Sequence, residues 1–255
     1  MIRRVTGTLF ILAVLAFGAT ASILSATFDW PDILREPADV VLPAFTAGGT
    51  GLIWTWFAVA WTYALLAVPI LLLPQALGRR NDPLVRTATW VGAASVLLSL
   101  IGFLRWVFVV PPLARAYAEG DPAVAAAWTA QHLYGGALLG EHLGQLLAIM
   151  WGIGISIALF RGHRRLAVAG FLANVLYLTN QGDILATAVP GFPVWDLGGL
   201  LGSSAWGLWM IALGVSLVLP LSDGTRGSTG IHPEVRPGSR PVRTVVWSGP
   251  EDTAV

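Results

Sequence analysis

Four ionisable side chains interrupt long apolar runs of the sequence, and these residues have the greatest capacity for chemistry. They are Arg105, Glu141, His142 and Asp183. When each run is treated as a helix and counted from one common side, all four fall at a similar depth, about 26 to 29 Å along the helix axis. Inside a membrane, such groups are tolerated only where they pair with one another or contact water. We therefore predict that they form a ligand-binding or ion-pair cluster in a polar chamber.

The charges of this cluster nearly cancel, which leaves two interpretations open. In the structural one, Arg105 forms an ion pair with Glu141 or Asp183 and fixes the register of the helices. In the functional one, the two carboxylates, the histidine and the arginine bind a cation or a proton, or respond to pH. Equal depth does not fix the direction of a side chain around its helix, so contact among the four is not established. Polar residues near the same plane are secondary candidates: Asn180, Gln181, Ser203 and Ser204.

The residues that the chain lacks exclude several chemistries. It contains no cysteine, which excludes disulfides, thiolate nucleophiles, iron–sulfur clusters and thioether-attached haem. All 15 basic residues are arginine, which excludes Schiff-base chemistry on lysine. The segment GEHLG lacks the second histidine of a zinc-protease motif, and His132 and His142 share one helix, which disfavours a bis-histidine haem. We predict no metal site and no cofactor, and no basic stripe suits nucleic acid.

Composition indicates that the elements positioning these residues are membrane helices. Of 255 residues, 55% are hydrophobic and 11% are charged, and the mean hydropathy is +0.71. This leaves too little polar surface for a soluble globule of that size. Six apolar runs are each long enough for a spanning helix: 5–27, 50–77, 87–110, 136–160, 166–189 and 197–220. We predict an all-α fold, an integral membrane bundle of six transmembrane helices.

The charges between these runs alternate in sign. The N-terminal end, the 78–86 connection and the loop RGHRR are positive, whereas the 28–48, 111–131 and 190–196 connections are negative. Because cytoplasmic loops carry an excess of arginine and lysine, the alternation predicts six spans with both termini in the cytoplasm. The predicted location is the plasma membrane, as a multi-pass protein.

A domain boundary is predicted near residue 221. Residues 1–221 contain the six helices, whereas 222–255 are rich in Gly, Pro, Ser and Thr and predict a disordered cytoplasmic tail.

The start of the chain has an alternative interpretation, because MIRR, an apolar stretch and ATA at 19–21 resemble a signal peptide. The apolar stretch continues past that cut, which favours a first span that is retained.

The fourth helix shows two further patterns. Asp121 and Pro122 suit the cap and first turn of a helix, but a helix over 122–160 would be about 58 Å long. It therefore either projects outward or has a break or kink at Gly135 and Gly136, and we expect the latter.

Small residues recur along this helix at every fourth position, a spacing that permits close packing of helices in lipid. We interpret this stripe as an intramolecular contact, with a homo-oligomer face as the alternative. Its members are Gly136, Gly140, Gly144, Ala148, Gly152 and Ser156.

The third and fourth helices resemble a known family. The stretch GFLRWVFVVPPLARAY followed by GGALLGEHLGQLLAIMW is similar to a pattern in a family of bacterial multi-pass membrane proteins classed only as a domain of unknown function. At its widest, the resemblance extends over 87–190. It implies the six-helix architecture and brings no reaction, substrate or cofactor. The motif positions that it implies are Arg105, Trp106, Pro111, Pro112, Glu141, His142 and Gly144.

Three functions fit these observations. The leading hypothesis is a binding protein or transporter whose outward-facing polar chamber takes a small polar or amphiphilic ligand or a proton. The second is a non-catalytic structural or accessory subunit, whose ion pairs and glycines hold helices together. The third is an intramembrane enzyme that uses Glu141 and His142 as acid and base, and the lack of a recognisable reaction disfavours it. The expected partners are the lipid bilayer and an unknown small ligand.

Overall fold

Helices are the only regular secondary structure in residues 1–219, the part of the chain that the structure, a computed structural model, describes. These residues contain no strand, which confirms the predicted all-α fold for them. The proposed tail over 222–255 lies outside the described residues. The α-helices are α1 (Ile2–Phe28), α2 (Ala38–Ala64), α3 (Ala67–Ala76), α4 (Pro83–Phe108), α5 (Val110–Ala118), α6 (Val124–Gln131), α7 (Gly144–Leu159), α8 (Arg164–Leu178), α9 (Gln181–Ala186) and α10 (Gly198–Val218). A 3₁₀ turn (Asp32–Arg35) precedes α2, and a π-helical segment (His132–Leu143) joins α6 to α7.

Five helical stretches within the described residues are long and apolar enough to cross a membrane. They are Ile2–Phe28, Ala38–Ala76, Pro83–Ala118, Val124–Leu159 and Gly198–Val218. The predicted span over 166–189 does not form one such helix, because it divides into α8 and α9. At the division, the amides of Thr179 and Asn180 bond to carbonyls three residues back, and the Thr179 hydroxyl donates to the Leu176 carbonyl. This local hydrogen bonding competes with the α-helical pattern and interrupts the helix.

The helices pack side by side in a closed ring. Helix α1 packs against α2 and α10, α4 packs against α2 and α7, and α8 packs against α7 and α10. Buried apolar side chains, including Phe10, Tyr63 and Trp151, fill the interior of the ring. A second cluster fills the end at which α1 stops, where the rings of Trp56 and Trp106 stack with centroids 4.6 Å apart. The bundle therefore has a packed core over most of its length.

The two ends of the bundle differ in charge. We call the end at which α1 stops the distal end and the end at which α1 begins the proximal end. The distal end carries the acidic residues Asp29, Asp32, Glu36, Asp39, Glu119, Asp121 and Asp196. The proximal end carries the basic residues Arg3, Arg4, Arg79, Arg80, Arg86, Arg161, Arg164 and Arg165. Arg35 and Arg115 at the distal end and Asp82 at the proximal end have the opposite sign, but the net charge is negative at the distal end and positive at the proximal end.

The fourth helix changes its winding in the region where a break or kink was expected. Helix α6 continues directly into the π segment, and the backbone returns to α geometry at Gly144. The π segment packs closely on α4: a Cβ added to Gly140 would lie 2.8 Å from the Gly102 Cα. The Ser95 hydroxyl also donates to the Gly144 carbonyl at 2.7 Å. The wider winding therefore lies where the neighbouring helix α4 approaches closely and supplies a hydrogen-bond donor.

The small-residue stripe of this helix faces other helices of the same chain. A Cβ on Gly144 would meet the side chain of Ser99 in α4, and a Cβ on Gly152 would meet that of Asn174 in α8. Small residues are needed here because the neighbouring side chains occupy the space of a methyl group. The stripe thus serves the intramolecular contacts that the spacing predicted.

Candidate functional site

An arginine bridges two carboxylates at the distal end. Nη2 of Arg35 lies 2.7 Å from Oε2 of Glu141 and 2.6 Å from Oδ2 of Asp183. Nε of Arg35 also donates to Oδ2 of Asp183 at 2.9 Å. The exposed fractions of the three side chains range from 22% to 36%, so the ion pairs lie at a half-buried boundary that solvent reaches. We call these three residues the distal triad.

The 3₁₀ turn holds Arg35 over the bundle. Ile33 and Leu34 of this turn are buried, and the Leu34 carbonyl accepts a hydrogen bond from Nε2 of His132 at 2.8 Å. Burial alone would lower the pKa of Arg35, but the attraction of the two carboxylates and their hydrogen bonds raise it above its usual range. Arg35 therefore stays charged, and the buried Ile33 and Leu34 anchor the turn that carries it.

Hydrogen-bonded side chains continue from the distal triad into the bundle. Nδ1 of His142 donates to Oε1 of Gln181 at 2.7 Å, and Nε2 of Gln181 donates to Oε1 of Gln145. Gln181 and Gln145 are buried. Because a buried amide is costly unless it is hydrogen-bonded, each glutamine stabilises the placement of the other. His142 follows Glu141 directly, so the π segment connects this hydrogen-bonded chain of side chains to the distal triad.

One buried oxygen of the distal triad has no hydrogen-bond partner among the described residues. Oε1 of Glu141 is buried and accepts no hydrogen bond from residues 1–219. One guanidinium faces two carboxylates, so the triad has one surplus negative charge. An unpartnered carboxylate oxygen favours a hydrogen-bond donor, and the surplus charge favours a cation. Within the described residues, no group of three or more His, Cys, Asp or Glu side chains is arranged to hold a metal ion. The arrangement is suited to a positively charged donor.

Arg105 lies outside the distal triad. The ion pair expected between Arg105 and Glu141 or Asp183 is not formed, because Arg35 occupies that position. Equal depth placed Arg105 near the acids, but its side chain points to a different neighbour around the helix. The structural pairing that the sequence suggested thus exists with a different cation, supplied by a connection rather than by a span.

Arg105 instead contacts the first turn of the π segment. Nη1 of Arg105 donates to Nδ1 of His132 at 3.0 Å, and its Nε donates to the Gly102 carbonyl at 3.1 Å. A guanidinium has no acceptor, so Nδ1 of His132 must accept and Nε2 must bear the proton donated to Leu34. The guanidinium lies so close to Gly136 that a Cβ there would collide with it. Arg105 therefore fixes the tautomer and orientation of His132, and through it the 3₁₀ turn.

The secondary candidates separate into two groups. Gln181 belongs to the hydrogen-bonded chain described above, and the neighbouring Asn180 is half-buried against Gly199 of α10. Ser203 and Ser204 are exposed on α10, and the Ser203 hydroxyl donates to the Gly199 carbonyl of its own helix at 2.7 Å. The structure therefore brings four of the eight predicted residues together and leaves Arg105, Asn180 and the two serines outside the group. The four are Glu141, His142, Asp183 and Gln181.

Sequence reasoning missed two residues of the site. Gln145 lies one helical turn after Glu141 and is polar within an apolar run, which was a usable signal. Arg35 is the lone basic residue among the acids of the 28–48 connection. An arginine in an otherwise acidic connection indicates a specific partner, since a cation there opposes the charge asymmetry of the bundle.

Comparison with known proteins gives a family and no activity. A family model described as Domain of unknown function (DUF4386) matches residues 5–214. This range includes every residue of the distal triad and of the hydrogen-bonded chain behind it. No curated protein and no solved structure matches the chain.

Proposed function

The chain belongs to the DUF4386 family of domains of unknown function, and from the geometry of the distal triad we propose that it is a membrane-embedded binding protein for a small cationic hydrogen-bond donor. The ligand is a protonated amine or the proton itself, which share a positive charge and a hydrogen to donate. The family description names no activity, so the argument depends on the chemistry of the site.

The main support is the Oε1 atom of Glu141. It is buried and has no donor among the described residues, although its partner oxygen Oε2 is paired with Arg35 at 2.7 Å. A buried acceptor of this kind is costly in a structure that has no use for it. A bound ammonium group or a proton would satisfy the acceptor and cancel the surplus charge of the triad in one step.

Arg35 has a defined role in this proposal. Its guanidinium already occupies the space between Glu141 and Asp183, so it acts as a tethered cation that competes with a free one. Since Arg35 is held by a short 3₁₀ turn rather than by a span, it can be displaced without unpacking a transmembrane helix. Ligand binding is therefore coupled to the position of the 29–37 connection.

The proposal includes a topology of six passes, with both termini in the cytoplasm and the distal end facing outward across the plasma membrane. The arginine-rich proximal end and the acidic distal end support this orientation. Helices α8 and α9 together make the fifth pass, because α8 begins at the proximal end and Asp183 of α9 reaches the distal triad. Below the site, the aromatic core fills the bundle, so transport would need a second conformation, whereas binding does not.

Thermal unfolding of the full chain in detergent tests this proposal. Methylammonium is compared with tetramethylammonium at equal ionic strength, because the latter has the charge but no N–H donor. At ten times its Kd, a ligand of the native state adds about 1.4 kcal/mol of stability. We expect methylammonium to raise the Tm of the wild type and tetramethylammonium to have little effect.

Three variants test whether the stabilisation by methylammonium comes from the distal triad. Glu141→Gln should abolish the stabilisation by methylammonium, and Arg35→Gln should increase it by removing the tethered competitor. Glu119→Gln is the matched control, since Glu119 is an exposed acid of the distal end outside the triad. If neither amine acts, an infrared band of a protonated carboxyl group that is lost in Glu141→Gln identifies the proton as ligand.

The outcome that contradicts the proposal is the absence of both effects. Equal stabilisation by both amines would also contradict it, because this would show a general salt effect. A fixed protein partner that co-purifies with the unresponsive chain would then favour the accessory-subunit hypothesis. A lipid product retained through purification would favour the intramembrane enzyme.

A further inference from the structure

A groove runs along the outer surface of the bundle between α4 and the π segment. Its volume is about 410 Å³. The side chains of Phe108 and Tyr134 line it and are 67% and 64% exposed. The remaining apolar lining residues are Ile101, Leu104, Val109 and Leu139. In a membrane, an open apolar groove on the outside of a helix bundle contacts lipid rather than water.

Two polar side chains also line this groove, and both lack a partner that their chemistry requires. Arg105 is 6% exposed, yet no carboxylate of the described residues lies within ion-pair distance of it. Its Nε and Nη1 atoms are hydrogen-bonded to Gly102 and His132, while its Nη2 atom makes no hydrogen bond to residues 1–219. Both amide atoms of Gln131 are buried without a partner in the same part of the chain. A cation and an amide donor thus face one apolar groove with unused hydrogen-bonding capacity.

We propose that this groove binds an anionic phospholipid of the leaflet at the distal end. The lipid phosphate accepts hydrogen bonds from Arg105 and Gln131, and an acyl chain lies along the apolar lining. A guanidinium is the side chain best suited to phosphate, because its planar donors match two phosphate oxygens. A buried cation without a carboxylate partner in a membrane needs a counter-charge, and an anionic headgroup is the one that the bilayer supplies.

The position of Arg105 along its helix supports a headgroup contact. It lies one helical turn before the end of α4 at Phe108, near the level where membrane and water meet. The exposed aromatic ring of Tyr134 lines the groove beside Arg105, and tyrosine is common at that level. A headgroup can therefore reach Arg105 while its acyl chain extends toward the centre of the bilayer.

The groove and the distal triad attract ligands of opposite charge. The triad has two carboxylates for one guanidinium and attracts a cation, whereas Arg105 has no ion-pair carboxylate among the described residues and attracts an anion. The two sites are connected through His132 and the 3₁₀ turn, so each proposal is tested with its own ligand and its own variants. The lipid would also stabilise the contact of Arg105 with His132, which positions the 3₁₀ turn.

Lipid titration of the full chain in detergent tests the groove. Native mass spectrometry and thermal unfolding are used to compare phosphatidylglycerol with phosphatidylcholine of the same acyl chains. We expect phosphatidylglycerol to bind about fivefold more tightly, the size of one arginine contact at a membrane surface. Inorganic phosphate alone should not stabilise the protein, because it leaves the apolar lining empty.

Three variants test whether the preference for phosphatidylglycerol depends on the groove. Arg105→Gln should abolish it, and Gln131→Leu should reduce it while leaving the fold intact, since the amide has no partner to lose. Arg86→Gln is the matched control, an exposed arginine of the same helix at the proximal end. Should Arg105→Gln fail to fold, Gln131→Leu decides the question. Equal binding of the two lipids, equal stabilisation by inorganic phosphate, an unchanged preference in Gln131→Leu, or loss of the preference in Arg86→Gln would each overturn the proposal.

Discussion

Arg35 connects three elements that are far apart in sequence. Its partners lie in the π segment and in α9, and the arginine itself belongs to the 3₁₀ turn. Exposed ion pairs contribute little to stability because water and salt screen them. The distal triad is only partly exposed, however, and removal of its cation leaves two carboxylates facing each other. Removal of Arg35 therefore destabilises the protein by more than its two ion pairs stabilise it, because the carboxylates are left unpaired.

The first prediction concerns this asymmetry. Arg35→Gln should lower the free energy of unfolding by about 1 to 2 kcal/mol, because the remaining carboxylates repel. Adding Glu141→Gln to it should restore part of that loss, which is the signature of a coupled pair. Denaturant unfolding in detergent measures both changes. Arg79→Gln is the control, since Arg79 has a single carboxylate partner, Asp82, at the longer distance of 3.6 Å, and its loss should cost less than about 0.5 kcal/mol. Strictly additive effects of the two substitutions would contradict the coupling.

Residue types and depth predicted part of the site and could not predict the rest. Counting along the apolar runs predicted that Glu141, His142 and Asp183 are polar groups at one level. It could not show which way Arg105 points, because a difference of one helical position turns a side chain by about 100°. Nor could it show that Arg35 folds back over the bundle, since that placement depends on the burial of Ile33 and Leu34 against helices distant in sequence.

At the scale of elements, the π segment is the feature that builds the site. His132 of this segment bonds to the 3₁₀ turn, and Glu141 is a member of the distal triad. His142 bonds to Gln181 of α9. The apolar runs of the sequence predicted helices here, since their length and composition suffice for that. They could not predict the π winding, because it depends on the close approach of α4 and not on local propensity. The division of α8 from α9 escaped prediction for a similar reason, since it depends on hydrogen bonds at Thr179 and not on loss of hydrophobicity.

The second prediction tests the contact that accompanies the π segment. Gly140→Ala should destabilise the protein by about 1 to 3 kcal/mol, because the new methyl group would meet the backbone of Gly102, which cannot move aside. Gly18→Ala in α1 is the control, because no atom lies within 4 Å of a Cβ built there. Alanine favours a helix over glycine by up to about 1 kcal/mol, so Gly18→Ala should be neutral or stabilising. Thermal unfolding of the two variants gives the comparison, and equal stability would show that the Gly102 contact is not tight.

For the whole molecule, the open question of architecture is whether the chain crosses the membrane five or six times. Five stretches satisfy length and hydropathy, while α8 has 15 residues and would span only about 22 Å. The ring places α8 between α7 and α10 over its length, and α9 extends the path to the distal triad. The α8–α9 pair thus completes a passage from one end of the bundle to the other, even though it is not one continuous helix.

The third prediction decides this question, and the composition of the chain makes it direct. Because the protein contains no cysteine, each introduced cysteine is the only target of a membrane-impermeant maleimide. Ala123→Cys and Ala188→Cys, exposed at the distal end, should react in intact cells. Asn81→Cys and Gly162→Cys, exposed at the proximal end, should react only after the membrane is permeabilised. Gly162 and Ala188 flank the α8–α9 pair, so their opposite reactivity would establish the sixth pass and place the distal triad outside the cell. If both react from the same side, the pair does not cross, the chain has five passes, and the two termini lie on opposite sides of the membrane.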